Sequence, residues 1–344
     1  MALLMPDSCC VVVIAEACPQ TPLRDCPRNW VRVAHMAENT PSPVKPTLDL
    51  ATAGLLLLPP LVWAGNSVLG RVVADMVPPI TLNFFRWLLA FALLLPWSYP
   101  VLKPSSPMWA HWRRYGLMSL LGVGCYNSFQ YLALHTSTPI NVTLVGASVP
   151  VFMLVLGALF YKQSVTVRQV LGAALSIAGV LCVLGRGDWN TLQKVQLVIG
   201  DVYILIAVLC WAWYSWLVAQ PVDPPEIRNN WIYFLSAQMV FGLLWSGAFT
   251  AAEWQFSENP HIDWGWPLAA SVLYVALGPA LLAYRSWGLG IQRVGPNIAG
   301  FFANLTPLFA ALISTVTLGE SPQGFHAVAF VLIVGGIWVS SRKS

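Results

Sequence analysis

Apolar residues in this chain come in long runs, and polar residues punctuate them. From residue 50 onward the runs are 50–72, 79–98, 115–135, 139–161, 167–185, 199–219, 231–251, 266–290, 295–317 and 322–340, bounded by Trp, Pro and charged positions. A helix rises about 1.5 Å per residue, so about twenty residues cross a hydrocarbon core of roughly 30 Å. The pattern predicts an all-α polytopic membrane protein with ten transmembrane helices. Lipid offers no hydrogen-bond partners, so the backbone of each run has to satisfy itself as a helix. Most linkers are short, as suits antiparallel neighbours.

The runs also repeat. Val294 to Val339 holds an apolar run, a polar break at Leu318–Gln323 and a second apolar run, with prolines at 296 and 307. A shift of 157 residues lays Pro139 on Pro296, Pro150 on Pro307 and Gly179 on Gly336 without a gap. Near the start of each half, Trp63-Ala64 echoes Trp211-Ala212, and Ser67 echoes Ser215, with Asn66 set against Tyr214. The reading is two copies of one unit, at 47–190 and 191–344, after an unrelated stretch at 1–46. Five helices per copy is an odd number, so the second copy enters the membrane in the opposite sense. Inverted repeats of this kind place a site between the copies near mid-membrane and permit alternating access.

Composition agrees with a membrane setting. Of 344 residues, 57% are hydrophobic and 9% charged, against about 25% charged in soluble domains. The net charge of +4 and the lack of a basic tract with interleaved aromatics give no sign of nucleic-acid binding. Cys125, Cys182 and Cys210 lie singly inside apolar runs and read as small core residues. Cys9, Cys10, Cys18 and Cys26 have no zinc-like spacing. Residues 1–46 read as a disordered tail or a misassigned start. Val11–Ala15 is too short and lacks a preceding positive charge for a signal peptide, and Thr40–Pro46 is polar and proline-rich.

With the N-terminus inside, thirteen Lys and Arg fall on the cytoplasmic side and three, Arg71, Arg186 and Lys194, on the other. The positive-inside rule then predicts both termini in the cytoplasm. Two arginines, Arg86 and Arg285, fall within spans.

The chain from about 50 to 340 resembles the EamA-type transporters of the drug/metabolite transporter superfamily. The residues that carry this are Trp63-Ala64-Gly65-Asn66 with Arg71, then Pro78-Pro79 with Phe84-Phe85-Arg86-Trp87, and Tyr131-Leu132-Ala133-Leu134 with Thr136 and Asn141. In the second half they are Gly200-Asp201 with Trp211-Ala212, Leu282-Ala283-Tyr284 with Trp287, and Asn304-Leu305-Thr306-Pro307-Leu308-Phe309 with Leu318-Gly319-Glu320. The glutamate usual after the fourth helix is Gln163 here. The resemblance implies a ten-helix secondary transporter, often an exporter of amino acids or other small metabolites.

Polar residues at depth are the candidate chemistry. Arg86 sits about seven residues, roughly 10 Å, from the outer end of its helix. A charge at mid-membrane costs about 2.5–3.5 kcal/mol, so it faces protein or water. It either meets an anionic group of the substrate or binds backbone carbonyls or Asp75 as part of an outer gate. Arg285 lies near an inner end and is expected to snorkel. Arg71 reads as interfacial or paired with Asp75. Asn66 shares a face with Trp63 and Ser67; Asn127 and Gln130 are three apart; Asn297, Phe301 and Asn304 form a stripe. Amides of this kind either glue helices, at about 0.6 kcal/mol per bond, or line a polar cavity. The candidate substrate-binding residues are Trp63, Asn66, Arg86, Asn127, Gln130, Tyr214, Tyr284 and Asn304. Pro59-Pro60, Pro150, Pro307 and Gly278-Pro279 are read as helix interruptions, either hinges or packing kinks. Gly172, Ser176 and Gly179, with Gly335 and Gly336, read as packing faces, and His326 as interfacial.

No GxxxxGK[ST] loop implies ATP-driven transport, no cofactor is implied, no His/Cys/acid cluster implies a metal, and no acid lies at mid-span. The expectation is an inner-membrane secondary transporter of a small metabolite, an amino acid or related carboxylate first, working as an exporter. The alternatives are a carrier of other metabolites or drugs, including nucleotide-sugar-like anions, and a non-transporting receptor or scaffold. An intramembrane enzyme would need a nucleophile–base or metal constellation at depth, and the sequence offers none.

Overall fold

The computed structural model describes residues 48–193, 196–318 and 323–342. Residues 1–46, Lys194, Glu320, and the side chains of Ser67 and Arg71 lie outside the described residues. All regular elements among those described are helical. The first copy contains α1 (Leu50–Val72), α2 (Pro79–Leu102), α3 (Trp112–Ser119), α4 (Tyr126–Thr136), α5 (Pro139–Gly146), α6 (Val149–Phe160) and α7 (Val167–Leu184). A short α8 (Trp189–Gln193) leads to the second: α9 (Ile199–Ala219), α10 (Pro225–Arg228), α11 (Trp231–Phe256), α12 (Trp266–Val275), α13 (Ala283–Val294), α14 (Pro296–Ala303), α15 (Thr306–Leu318) and α16 (Gly324–Ser341).

Eight helices among the described residues are long and apolar enough to cross a membrane. They include the pairs α5–α6, α12–α13 and α14–α15, each counted as one. Two of the ten predicted spans fall short. In α1 only Leu50–Asn66 forms a shorter apolar helix. The predicted span 115–135 is helical throughout 112–136 but is not among the apolar eight. Its Asn127, Ser128 and Tyr131 are buried in protein, so polar positions along it are turned away from the outside.

The helix breaks recur at equivalent places. Ala147–Ser148 separates α5 from α6, and Asn304–Leu305 separates α14 from α15, which is the same 157-residue offset. Pro150 and Pro307 stand in the first turn after each break, where a missing N–H costs nothing. Pro59 and Pro60, expected to interrupt a helix, instead lie inside continuous α1. Between α3 and α4, Leu120–Cys125 is a π-helical turn; between α12 and α13, Ala276–Leu282 is another. The offset lays Leu120 on Leu277 and Cys125 on Leu282. The wider π turn leaves carbonyls free for side-chain donors and is common at functional sites.

The two copies pack through reciprocal contacts. α7 and α16 lie side by side. A Cβ on Gly336 would meet Gly172 O at 2.6 Å and Ser176 Cβ at 3.2 Å, and one on Gly179 would meet Ala329 O at 3.0 Å and Ile333 Cγ1 at 2.7 Å. Those are the same contacts with the copies exchanged, the pattern a two-fold relation generates. Gly335 has open space instead, so it does not belong to the packing face predicted for it.

Several polar joints tie helix ends together. Thr166 and Gln169 close a capping box on α7, with Gln169 N donating to Thr166 Oγ1 (3.3 Å) and Thr166 N to Gln169 Oε1 (2.9 Å). The N-terminus of α2 is capped from a distance: Glu253 accepts from Ile80 N (2.8 Å), Thr81 N (2.7 Å) and Thr81 Oγ1 (2.7 Å). A carboxylate there complements the helix dipole. Asp201 accepts from Ser137 Oγ (2.6 Å), Asn141 Nδ2 (2.7 Å) and Val198 N (2.8 Å), joining the α4–α5 turn to α9.

Candidate functional site

An aromatic cluster fills the contact between the copies. Trp63 and Trp211, equivalent positions near the start of each copy, meet edge to face with centroids 5.3 Å apart. Trp287 lies 5.4 Å from Trp63 and 5.5 Å from Trp211, and its Nε1 donates to Ser215 Oγ (3.1 Å). Tyr126 leans on Trp211 at 4.5 Å, and Tyr214 on Trp211 at 5.2 Å. Each such pair is worth about 0.5–1.5 kcal/mol beyond its burial, so the cluster is a firm wall.

On one side of the wall is a cavity of about 140 Å³. Its lining comes from both copies: Trp63, Tyr126, Gln130, Thr143, Gly146 and Ala147 from the first, with Ile204, Trp211, Ala303, Asn304, Thr306 and Pro307 among those from the second. The two helix breaks border it. Asn304 spans them, donating through Nδ2 to Ala147 O (3.3 Å) and Ser176 Oγ (2.9 Å); Ala147 and Asn304 are themselves equivalent positions. None of the lining residues is charged. A dry cavity of about 150 Å³ accepts benzene, so this one suits an apolar or aromatic group held among aromatic faces and amides.

A buried polar network adjoins the wall. Arg86 is 1% exposed, and its Nη1 donates to Asn127 Oδ1 (2.8 Å). Asn127 Nδ2 donates to Gly122 O (2.9 Å), in the π turn, and to the Tyr284 hydroxyl (3.0 Å). Asn127 and Tyr284 are again 157 residues apart. The Tyr284 hydroxyl also donates to Gly122 O. Tyr284 packs edge-on against Trp87 (4.8 Å) and Trp211 (5.3 Å), so it belongs to both wall and network.

The eight predicted residues therefore divide. Trp63, Gln130 and Asn304 line the cavity; Arg86, Asn127 and Tyr284 form the network. Tyr214 is buried between, 5.8 Å from Tyr284. Asn66 joins neither group: it accepts from the Tyr131 hydroxyl (3.0 Å) and ties α1 to α4. Asp75, one of the alternative partners for Arg86, is exposed, and Arg86 donates to Asn127 instead. Of the stripe Asn297, Phe301 and Asn304, only Asn304 reaches the cavity; Phe301 is fully buried in packing. Arg285 is exposed and stacks 4.8 Å over the Trp231 ring, as a snorkelling side chain does. His326 Nδ1 accepts from Gln323 N (3.0 Å) at the start of α16.

Tyr126, Trp211 and Gly122 were not among the candidates. Tyr126 adjoins Asn127 and Trp211 echoes Trp63, and those are the signals that could have found them. Nothing in the sequence marks the Gly122 carbonyl as an acceptor for two side chains.

A family profile decides the relationship: the EamA-like transporter family matches residues 50–185 and 198–342. The chain belongs to this family. Family membership and the apolar helices together make it a multi-pass membrane transporter. A curated relative from Archaeoglobus fulgidus, named an uncharacterized transporter, is 25% identical over 84% of this chain and 96% of its own length. The aromatic amino acid exporter YddG of Ancylobacter novellus is 24% identical over 86% of this chain and 92% of its own. A solved crystal structure aligns with a TM-score of 0.63 at 20% identity, covering 84% of this chain and 97% of that one. At that identity the likeness concerns the fold alone. Both EamA matches begin at a Trp-Ala-bearing helix, α1 or α9, and end after the small-residue helix, α7 or α16.

Proposed function

We propose that this chain is a secondary transporter that moves a small metabolite, an amino acid or related compound, by alternating access in the inner membrane. In this reading ten helices cross the bilayer as two inverted five-helix repeats, 47–190 and 191–344, with both termini in the cytoplasm. The charge asymmetry of Lys and Arg supports the orientation. The cavity between the copies carries the proposal: it is bordered by both helix breaks and crossed by contacts between equivalent residues. Exchanging the conformations of two such copies would open the cavity to the other side.

The substrate's apolar part sits against Trp63, Tyr126 and Trp211, with Gln130 and Asn304 supplying amide contacts. The aromatic lining supports a ring-bearing substrate, as does the relative named an aromatic amino acid exporter. Export is the proposed direction on the same ground. Arg86, Asn127, Tyr214 and Tyr284 form the neighbouring polar part, and Asn66 holds α1 on α4.

Counterflow in proteoliposomes tests this. Vesicles preloaded with unlabelled phenylalanine or tryptophan are expected to accumulate the labelled compound above protein-free vesicles. If no member of a panel of amino acids, other carboxylates and aromatic amines is accumulated, the transport reading is wrong.

A further inference from the structure

A buried cation normally lies beside a carboxylate, because desolvation costs several kcal/mol per ion and only a close counter-charge offsets it. Arg86 does not. No Asp or Glu lies within salt-bridge distance of it among the described residues. Among the described residues its one acceptor is the Asn127 amide oxygen at 2.8 Å. Its Nε meets no partner among the described residues, and neither does the indole Nε1 of the adjoining Trp87. The guanidinium carbon stands 5.2 Å over the Trp87 ring, which orients it without neutralising it. A positive group and spare N–H donors are thus held ready beside the aromatic wall.

Tyr284 shares Asn127 with Arg86. Its hydroxyl is bound to Gly122 O and Asn127. The same residue lines a narrow crevice with Tyr214, Arg228, Trp231 and Arg285. Arg228 is already occupied by Asp223 and backbone carbonyls, whereas Arg285 is exposed.

We propose that Arg86, oriented by Asn127 and screened by Tyr284, is an anion subsite that takes the carboxylate of the substrate. The carboxylate would accept from the guanidinium and from Trp87 Nε1. Arg86 lines neither the cavity nor the crevice, so the ring of the same molecule would reach the cavity when the aromatic wall parts during the transport cycle. This rests on the transport reading above and names the charged end of its substrate.

The test compares 3-phenylpropanoate with 3-phenylpropanamide on the purified full-length protein, by thermal shift and by binding isotherm, in wild type, Arg86→Met and Arg86→Lys. Methionine keeps the length and removes the charge. In Arg86→Met the propanoate is expected to bind at least tenfold more weakly, and the propanamide to change less than twofold. Lysine should restore part of the propanoate binding. The unliganded Arg86→Met protein should melt no lower than wild type, because an uncompensated buried charge has been replaced by apolar volume. A lower melting temperature for the unliganded variant would make Arg86 a structural pin and overturn the proposal. So would equal loss for both compounds, or wild-type protein that binds neither. Counterflow of uncharged or cationic compounds alongside such a result leaves transport standing and removes only the subsite; no counterflow of any compound removes both.

Discussion

Gly172→Leu is expected to prevent stable assembly of the protein. A Cβ at Gly172 would lie 2.7 Å from Gly336 O and 2.8 Å from Ser340 Cβ. The first neighbour is backbone, so no rotamer change relieves the clash. α7 and α16 would have to separate, and the reciprocal contacts around Gly179 and Gly336 would loosen with them. Overpacking a tight core costs about 1–3 kcal/mol and occasionally more; here the backbone contact and the leucine's further carbons put it at the upper end or beyond. Thermal unfolding and size exclusion in detergent would show the loss. Gly335→Leu is the control, because a Cβ there meets nothing within 4 Å. It should shift stability by no more than about 0.5 kcal/mol.

Asp223→Ala carries the second large effect. The Asp223 side chain is fully buried, and Arg114 grips it through Nε at 2.7 Å and Nη2 at 2.9 Å. Arg228 Nη1 reaches Oδ2, which Arg114 Nη2 also holds, at 3.4 Å. The arginines also close the end of α9: Arg114 Nη2 donates to Leu217 O (2.7 Å) and Arg228 Nη1 to Gln220 O (2.6 Å). Burial holds the Arg228 guanidinium below its ordinary pKa, and Asp223 pulls it back up. Alanine would leave two mostly buried cations facing each other. Removing one partner of a buried pair costs about 3–5 kcal/mol, and the carbonyl contacts that remain place this case near 3. Melting of Asp223→Ala against wild type measures it. Asp223→Asn, which keeps an acceptor, should lose less.

How much of this could be read from the sequence depends on the range of the interaction. The 157-residue offset was plain from prolines and glycines alone. It carried through to the paired helix breaks, the two π turns and the packing of α7 on α16. Trp63, Gln130 and Asn304 converge on one cavity because each copy's polar positions face the other copy. Other features depend on partners far away in sequence. Nothing local marks Glu253 in the sequence, yet it caps α2 from 172 residues away. Pro59 and Pro60 were expected to break a helix; α1 runs through them, because tolerance of a missing N–H is set by what surrounds the freed carbonyls. Asn297 and Phe301 share a helical stripe with Asn304, but the break at Asn304–Leu305 decides which of them meets the cavity. The polar composition of 112–136 lowered its hydropathy for a reason visible only in three dimensions, since its amides point at Arg86, Tyr284 and the cavity.

The central claim is that the cavity between the copies is where substrate passes, and Gly146→Leu tests it most directly. Gly146 lines the cavity, and a Cβ there meets nothing within 4 Å. The added side chain should fill open space without strain, and replacing a helical glycine gains up to about 1 kcal/mol. The account predicts an unchanged or higher melting temperature together with counterflow reduced at least tenfold. A stable Gly146→Leu protein that exchanges substrate at the wild-type rate would contradict it.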